Sequence, residues 1–383
     1  MSILSFVDTL IANSTPDVPA WNVEHTLLKK ETRWNYVDGC MMKAVMDLHY
    51  ATGKENYFDF VKSYIDFFVD ADGGIATYDP KEYNCDHINM GKVLFDMYRK
   101  TFDERYKKAL DLIYSQLTDH PRTKAGNFWH KLIYPNQVWL DGLYMVQPFY
   151  AEYDKMFFDS KYFRDVYNQF RNVRDIMRDP FTGLYYHGYD ESREMFWADK
   201  TTGLSSNFWT RSIGWLAMAI VDTVEKLNEQ YNQEAMFLKT FLKELLDTVL
   251  FYRENKTKLY YQVTNAGERE GNYLETSGSA AIAYSMMKGN RLGYLLPQYY
   301  DWGKEIFDSL VEHKLVLVED RYVLKDVCLV AGLGGMPGQG DYKLRDGTFE
   351  YYVSEPRVNN DAKGLAPFLF GYAEVLRNNI IHS

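Results

Sequence analysis

The stretch Trp139-Leu140-Asp141-Gly142-Leu143-Tyr144-Met145 sets one acid among aromatic and apolar residues, directly after the turn signal Tyr134-Pro135-Asn136-Gln137. Apolar surroundings disfavour a charged carboxylate. A carboxylic acid that keeps its proton near neutral pH can act as a general acid. Asp141 is therefore the first candidate for chemistry. A second acid, Asp86, lies in Asn84-Cys85-Asp86-His87-Ile88-Asn89. Two carboxylates facing one cleft can divide their roles, one protonated and one ionised. Asp is also among the commonest helix N-caps, so capping is the competing reading for both, and for the similarly placed Asp38 and Asp361. The aromatic neighbours of Asp141 tilt it toward function.

Cationic and aromatic side chains accompany these acids. His130 and Lys131 follow Asn127-Phe128-Trp129, and His187 stands in the glycine-bounded segment Gly183-Leu184-Tyr185-Tyr186-His187-Gly188. Arg211 lies between Trp209 and Trp215. Arginine suits bidentate carboxylate recognition and ring stacking. A structural salt bridge or cation–π contact is an equal alternative for Arg211, and a hydrogen-bonded loop histidine is the alternative for His187. The eight histidines form no HExxH or other metal-ligand spacing, so no metal is expected. GxGxxG, Walker A and GxSxG signatures are missing at any strand-to-helix junction. Gly332-Leu333-Gly334-Gly335 lacks that context and reads as a flexible loop shaping the mouth of a cleft. Ser277 and Ser279, near Glu275, read as helix-start residues.

Helices must position these groups. Apolar residues recur at i, i+3 and i+4 over residues 39–50, 91–98, 143–153, 214–227, 237–252, 280–287 and 365–375. Strand-like alternation is confined to short pieces at 183–188 and 258–263. A loop carrying acids and aromatics leads into a helix six times, at residues 34–39, 84–89, 139–145, 207–212, 273–278 and 359–364. These recur about every 50 to 90 residues, too far apart for common solenoid repeats but suited to a helical hairpin with a variable loop. Six hairpins closed into a ring give an all-α (α/α)₆ toroid, with short β pieces in the loops and residues 1–383 as one catalytic domain. The alternatives are an open α-solenoid or two helical domains. In the ring the six loops converge on one face, where helix N-termini favour anionic ligands.

A formal net charge of −10 argues against nucleic acid or an anionic membrane as partner. No apolar run approaches the about 20 residues that a membrane span needs. Three widely spaced cysteines, Cys40, Cys85 and Cys328, make neither a disulfide framework nor a CxxC metal site. The N-terminus lacks a basic leader pattern. Together these predict a cytoplasmic protein, expected to be a monomer or weak homodimer. The 32 Tyr, 23 Phe and 8 Trp residues would suit a sugar-binding cleft, which combines apolar faces with polar groups. Taken alone, that composition favours a large helical core with Tyr at its wet edges.

The residues taken together resemble glycoside hydrolase family 105, the unsaturated rhamnogalacturonyl hydrolases. The match runs through Asn136-Gln137-Val138-Trp139-Leu140-Asp141-Gly142-Leu143-Tyr144-Met145, Thr182-Gly183-Leu184-Tyr185-Tyr186-His187-Gly188-Tyr189-Asp190, Ser206-Asn207-Phe208-Trp209-Thr210-Arg211-Ser212-Ile213-Gly214-Trp215 and Glu275-Thr276-Ser277-Gly278-Ser279-Ala280. It spans nearly the whole chain in one order. The chain is more distantly similar to the family 88 unsaturated glucuronyl hydrolases. The resemblance implies an (α/α)₆ fold without metal or organic cofactor. It implies a small anionic oligosaccharide substrate that begins with a Δ4,5-unsaturated galacturonic acid. It further implies Asp141 as catalytic acid, Asp86 as the second aspartate, and substrate contacts at Tyr36, His130, Lys131, Trp139, Met145, His187, Trp209, Arg211 and Trp215. Competing functions are an unsaturated glucuronyl hydrolase acting on ulvan or glycosaminoglycan fragments, an inverting glycosidase on a saturated glycan, and a non-catalytic carbohydrate-binding protein.

Overall fold

The helical periods become a ring. The computed structural model describes residues 2–227, 229–334 and 344–381. Helix α1 (Ile3–Ala12) and the short α2 (Val23–Leu28) precede α3 (Tyr36–Thr52) and α4 (Glu55–Asp66). The single turn α5 (Cys85–Ile88) continues through a 3₁₀ segment into α6 (Lys92–Thr101), followed by α7 (Glu104–Asp119). Then come α8 (Leu140–Phe158), α9 (Phe163–Met177), α10 (Thr210–Val224) and α11 (Asn232–Leu250). After them stand α12 (Thr276–Arg291), α13 (Pro297–His313), α14 (Phe349–Ser354) and α15 (Ala362–Ile381).

Six of these form the inner ring: α3, α6, α8, α10, α12 and α15. Neighbours pack in that order, and α15 lies against both α12 and α3, which closes the circle. Between α6 and α8 the contact includes the Phe95 and Phe149 rings, 5.3 Å apart. Inner helices are apolar nearly all round, as elements covered on every side must be; α10 buries all but one residue from Thr210 to Val224. Outer helices α4, α7, α9, α11 and α13 each return beside the inner helix before them. They carry a single apolar stripe, as in α9 with Phe163, Val166, Phe170, Val173 and Met177 buried. Helix α1 bridges the sixth outer position. Its Asp8 accepts from the Tyr57 hydroxyl at 2.8 Å on α4, and its Phe6 meets Tyr322 edge-on, beyond α13. The fold is the (α/α)₆ toroid expected from the sequence. Among the described residues, no helix is long and apolar enough to cross a membrane.

Short antiparallel pairs fasten the loops. Strand β1 (Gln137–Trp139) pairs with β2 (Gly188–Asp190), and β3 (Tyr260–Tyr261) with β4 (Leu274–Glu275). Likewise β5 (Leu315–Val318) pairs with β6 (Arg321–Leu324), and β7 (Val327–Cys328) with β8 (Arg357–Val358). The strand expected over 183–188 is displaced. Only Gly188 enters β2, because Gly183, with φ of 76°, turns the chain and Tyr185 makes just an isolated bridge to Arg178. The piece expected at 258–263 shrinks to β3.

Caps explain where the inner helices start. Asn35 Oδ1 accepts from Asp38 N at 2.9 Å, Glu275 Oε2 from Gly278 N at 2.7 Å, and Asp361 Oδ1 from Lys363 N at 3.0 Å. Asp361 is thus a cap. Asp38 is not: its buried carboxylate accepts from the Trp21 indole at 3.0 Å and from Asn22 and Asn35. Backbones also come unusually close. A β-carbon on Gly278 would lie 2.8 Å from the carbonyl carbon of Thr210, so only glycine lets α12 start against α10.

The opposite end of the ring is closed by charge. A cavity of about 290 Å³ there is lined from all six inner helices, among others by Lys43, Asp47, Asp222, Lys288, Arg291 and Arg377. Lys288 binds Asp222 at 2.8 Å, and Arg377 binds Glu374 at 2.8 Å. Glu374, 1% exposed, also takes Arg291 at 2.5 Å. Removing one member of such a network leaves uncompensated charge, at a cost of about 3–5 kcal/mol. Glu374→Gln, which takes the carboxylate from Arg291 and leaves Arg377 only Asp47 at 3.8 Å, is expected to lower unfolding stability by that order in urea titrations. A midpoint within error of the parent would refute the structural role.

Candidate active site

At the other face, the helix starts deliver side chains into one cavity of about 180 Å³. Tyr36 comes from the first turn of α3, Asp86 from α5, Asp141 and Met145 from α8, and Arg211 and Trp215 from α10. Trp139 and Trp209 occupy the residues just before α8 and α10, while His130 and Lys131 lie on the loop before β1. All ten line the cavity. The eleventh residue singled out by sequence, His187, is fully buried behind Asp141 and does not line it.

Asp141 is no helix cap. Helix α8 begins after Trp139, which makes no side-chain capping bond, and Asp141 stands in the first helical turn. Its Oδ2 is 3.2 Å from His187 Nε2. The two atoms are not aligned as a hydrogen bond, and neither has another hydrogen-bond partner among the described residues. His187 Nδ1 lies 2.8 Å from the Tyr352 hydroxyl. Burial, reinforced by the charge of Asp141, pushes the Tyr352 phenol well above its ordinary value, so it remains a hydroxyl. Asp141, His187 and Tyr352 thus make a line running from the cavity into the protein.

Asp86 has different surroundings. Lys131 Nζ lies 2.6 Å from its Oδ2, whereas His130 Nε2 is 3.7 Å from Oδ1. Burial alone would raise the Asp86 pKa; the Lys131 ammonium and, less, His130 outweigh it and hold the carboxyl below its ordinary range. Lys131 is raised in return: the Asp86 charge and hydrogen bond overcome the burial that would lower it. Burial drives His130 down to about 4. Near neutral pH that ring is uncharged, so Lys131 is the ionic partner. Tyr36, raised well above its usual value by burial and then by Asp86, stays a hydroxyl.

Aromatic rings form the walls. His130 stacks on Trp139 at 4.3 Å with 20° between planes, and Tyr134 stacks on the same indole at 5.0 Å. Gly142 permits this: a β-carbon there would lie 3.1 Å from His130 Nδ1. Trp215 stacks on Tyr144 at 4.8 Å. Trp209 donates its indole N–H to Gln262 at 3.0 Å and lies 4.8 Å from the His187 ring. Arg211 is 2% exposed; its Nε donates to Ser277 Oγ at 2.6 Å, its Nη2 bonds the Cys328 carbonyl, and Glu275 is 3.7 Å away. Ser277 and Ser279 serve the start of α12 as expected, with Ser279 Oγ donating to the Glu275 carbonyl at 2.6 Å. Gly332 lines the cavity as a mouth residue, and Gly334 bridges to Arg345; Gly335 lies outside the described residues.

Sequence reasoning missed Glu24, Tyr134 and Arg345, which also line the cavity, and Tyr352 beneath His187. The Tyr134-Pro135 turn beside the aromatic stretch was the one available signal. Charges on remote loops gave none.

The Glycosyl Hydrolase Family 88 sequence model matches residues 10–379. A solved family 105 glycoside hydrolase of C. acetobutylicum is 42% identical, with a TM-score of 0.85 over 89% of this chain and 93% of that one. Protein Atu3128 of Agrobacterium fabrum is 37% identical over 60% of this chain and 97% of its own length. The unsaturated rhamnogalacturonyl hydrolase YesR of Bacillus subtilis is 26% identical over 68% of this chain and 72% of its own.

Because Asp86 is depressed, its contribution to stability is present above the ordinary carboxylate pKa of about 4 and fades as pH falls through its lower folded value. Asp86→Asn, which leaves the half-buried Lys131 without its partner, is expected to destabilise the fold at pH 7 by no more than about 3–5 kcal/mol, the cost for a fully buried pair. The gap to the parent should narrow below pH about 4 in urea titrations. A gap independent of pH would argue against the ion pair as its source.

Proposed function

The chain belongs to the family 88/105 glycoside hydrolases, and we propose that it removes a Δ4,5-unsaturated galacturonic acid from the non-reducing end of rhamnogalacturonan-derived oligosaccharides. One observation carries the reading. Asp141 and Asp86 line a single aromatic-walled cavity, and their partners differ: Asp86 is bound to a lysine, Asp141 faces a histidine. The name of the B. subtilis relative supports the substrate class. The whole chain would act as one catalytic domain. Buried, unpaired Cys40, Cys85 and Cys328 support a reducing, cytoplasmic setting.

The unsaturated sugar carries a C4=C5 enol ether. Asp141 donates a proton to C4, and the ring oxygen stabilises the resulting cation at C5. Water adds to C5, assisted by the Asp141 carboxylate, and gives a hemiketal. The C5–O5 bond then opens to a ketone, leaving a hemiacetal at C1 that releases the aglycone alcohol. This is hydration, so the carboxyl-separation rule for inverting and retaining enzymes does not apply. Asp86, held ionised by Lys131, positions water or sugar hydroxyls and adds negative potential near the cation. His187, bonded through Nδ1 to the Tyr352 hydroxyl, backs Asp141 with its Nε2 3.2 Å from Oδ2. Trp139, Trp209 and Trp215 cover ring faces.

General acid–base help is worth roughly 10²–10⁴ in rate. Asp141→Asn should lower kcat by that order on an unsaturated rhamnogalacturonan disaccharide, read as loss of the double bond's ultraviolet absorbance. Near-parental turnover would sink the assignment. A panel of lyase-generated disaccharides tests the substrate: preference for a glucuronyl fragment would transfer the activity to that sister class. Failure on every unsaturated sugar would favour a saturated glycan.

A further inference from the structure

We infer that Arg345 is the residue that grips the substrate carboxylate and so sets the preference for an acidic sugar; this rests on the reading above. Three acids and three cations line the cavity: Glu24, Asp86 and Asp141 against Lys131, Arg211 and Arg345. Two of the cations are already committed. Lys131 is engaged by Asp86 at 2.6 Å, and Arg211 by Ser277, the Cys328 carbonyl and Glu275. Arg345 differs. Among the described residues, no carboxylate lies within ion-pairing distance of its guanidinium and no hydrogen bond satisfies it. Across the cavity its charge reaches Glu24, where it adds to the pull of Lys363 and Lys30 that holds that carboxyl below its ordinary range against burial.

The backbone that presents Arg345 is fixed on both sides. Arg345 N donates to the Gly334 carbonyl at 2.9 Å, and Gly334 N donates back at 2.9 Å. Two residues on, the Gly347 carbonyl accepts from Ser206 Oγ at 2.7 Å and Asn207 Nδ2 at 2.8 Å. The side chain reaches back over Gly332: a β-carbon there would sit 3.1 Å from Arg345 Nη1 and 3.5 Å from the Trp139 ring. Any larger residue there would crowd the guanidinium against the indole that flanks Asp141. A half-buried arginine so held, with its donors unmatched, suits bidentate binding of a carboxylate. Without it, the lining acids would outnumber the cations, and an anionic sugar would meet repulsion.

The test compares an unsaturated uronide disaccharide with its methyl ester, which keeps the double bond and loses the charge. A charge-assisted hydrogen bond is worth about 1.5–3 kcal/mol, so Arg345→Gln should raise KM for the acid roughly 10- to 100-fold, with the smaller share of the loss in kcat. KM for the ester should change little, and Arg345→Lys should restore part of the affinity. Calorimetric titration of both ligands into Asp141→Asn, with and without Arg345→Gln, reads the same contrast without turnover. Acid-over-ester preference retained after Arg345→Gln, absent from the Asp141→Asn background, or lost equally for acid and ester overturns the assignment. Turnover by the parent enzyme reports separately on the hydrolase reading.

Discussion

Everything at the cavity depends on how closely the inner helices start against one another. At Gly39 a β-carbon would lie 2.6 Å from the Met90 α-carbon, and at Gly278 it would strike the Thr210 backbone. These are backbone contacts, which no side-chain rotation can relieve. They fix the first turns of α3, α10 and α12 beside their neighbours. From those turns, and from the residues just before and after them, Tyr36, Trp209, Arg211 and Trp215 project into the cavity, while Ser277 of α12 holds Arg211 in place. Tyr36 and Arg211 therefore meet over the ring, beside Asp141 from α8, although more than a hundred residues separate the first from the last.

The ring's two ends resolve the same problem in opposite ways. Both collect polar groups, because helix ends leave backbone and charged side chains to be satisfied. The far end is mostly matched, with Lys288, Arg291 and Arg377 answered by Asp222 and Glu374, though Lys92 there has, among the described residues, only the Tyr144 carbonyl as hydrogen-bond partner. The near end matches Asp86 with Lys131 but leaves Asp141 Oδ2 without an aligned donor. Unmatched polar groups cost free energy in a folded chain and gather where ligands complete them.

The legibility of this chain follows burial. Inner helices such as 143–153 and 280–287 stand out because their apolar period is dense, and the loops before them carry the unusual pairing of acids with tryptophans. Outer helices such as α4, α7 and α13 escaped notice, since a single stripe is diluted by the lysines and acids of their wet faces. Asp141 and Asp86 were readable as residue types, yet only the fold separates them from Asp361, which has a similar setting in sequence but caps α15 and pairs with Lys363. His187 was expected against the sugar; its glycine-bounded loop instead tucks the ring under Asp141, with β2 paired to β1 holding it there. Arg345 and Glu24 were invisible because nothing in their local sequence tells which loops reach the same cavity.

The asymmetry of the two aspartates is what gives the arrangement chemical direction. In the proposed reaction, proton donation to C4 would put positive charge on C5 and its ring oxygen, and that charge would need a nearby carboxylate that does not itself give up or take a proton. Asp86 meets the requirement, since Lys131 holds it ionised against the cost of burial. Were His130 its main partner, the pairing would weaken near neutral pH, because burial leaves that ring uncharged above about 4. Lysine, raised above its ordinary value by the same contact, keeps the pair intact across the physiological range. In the proposed reaction the proton traffic would fall to Asp141, with His187 standing 3.2 Å behind it, so that one acid is held constant while the other changes.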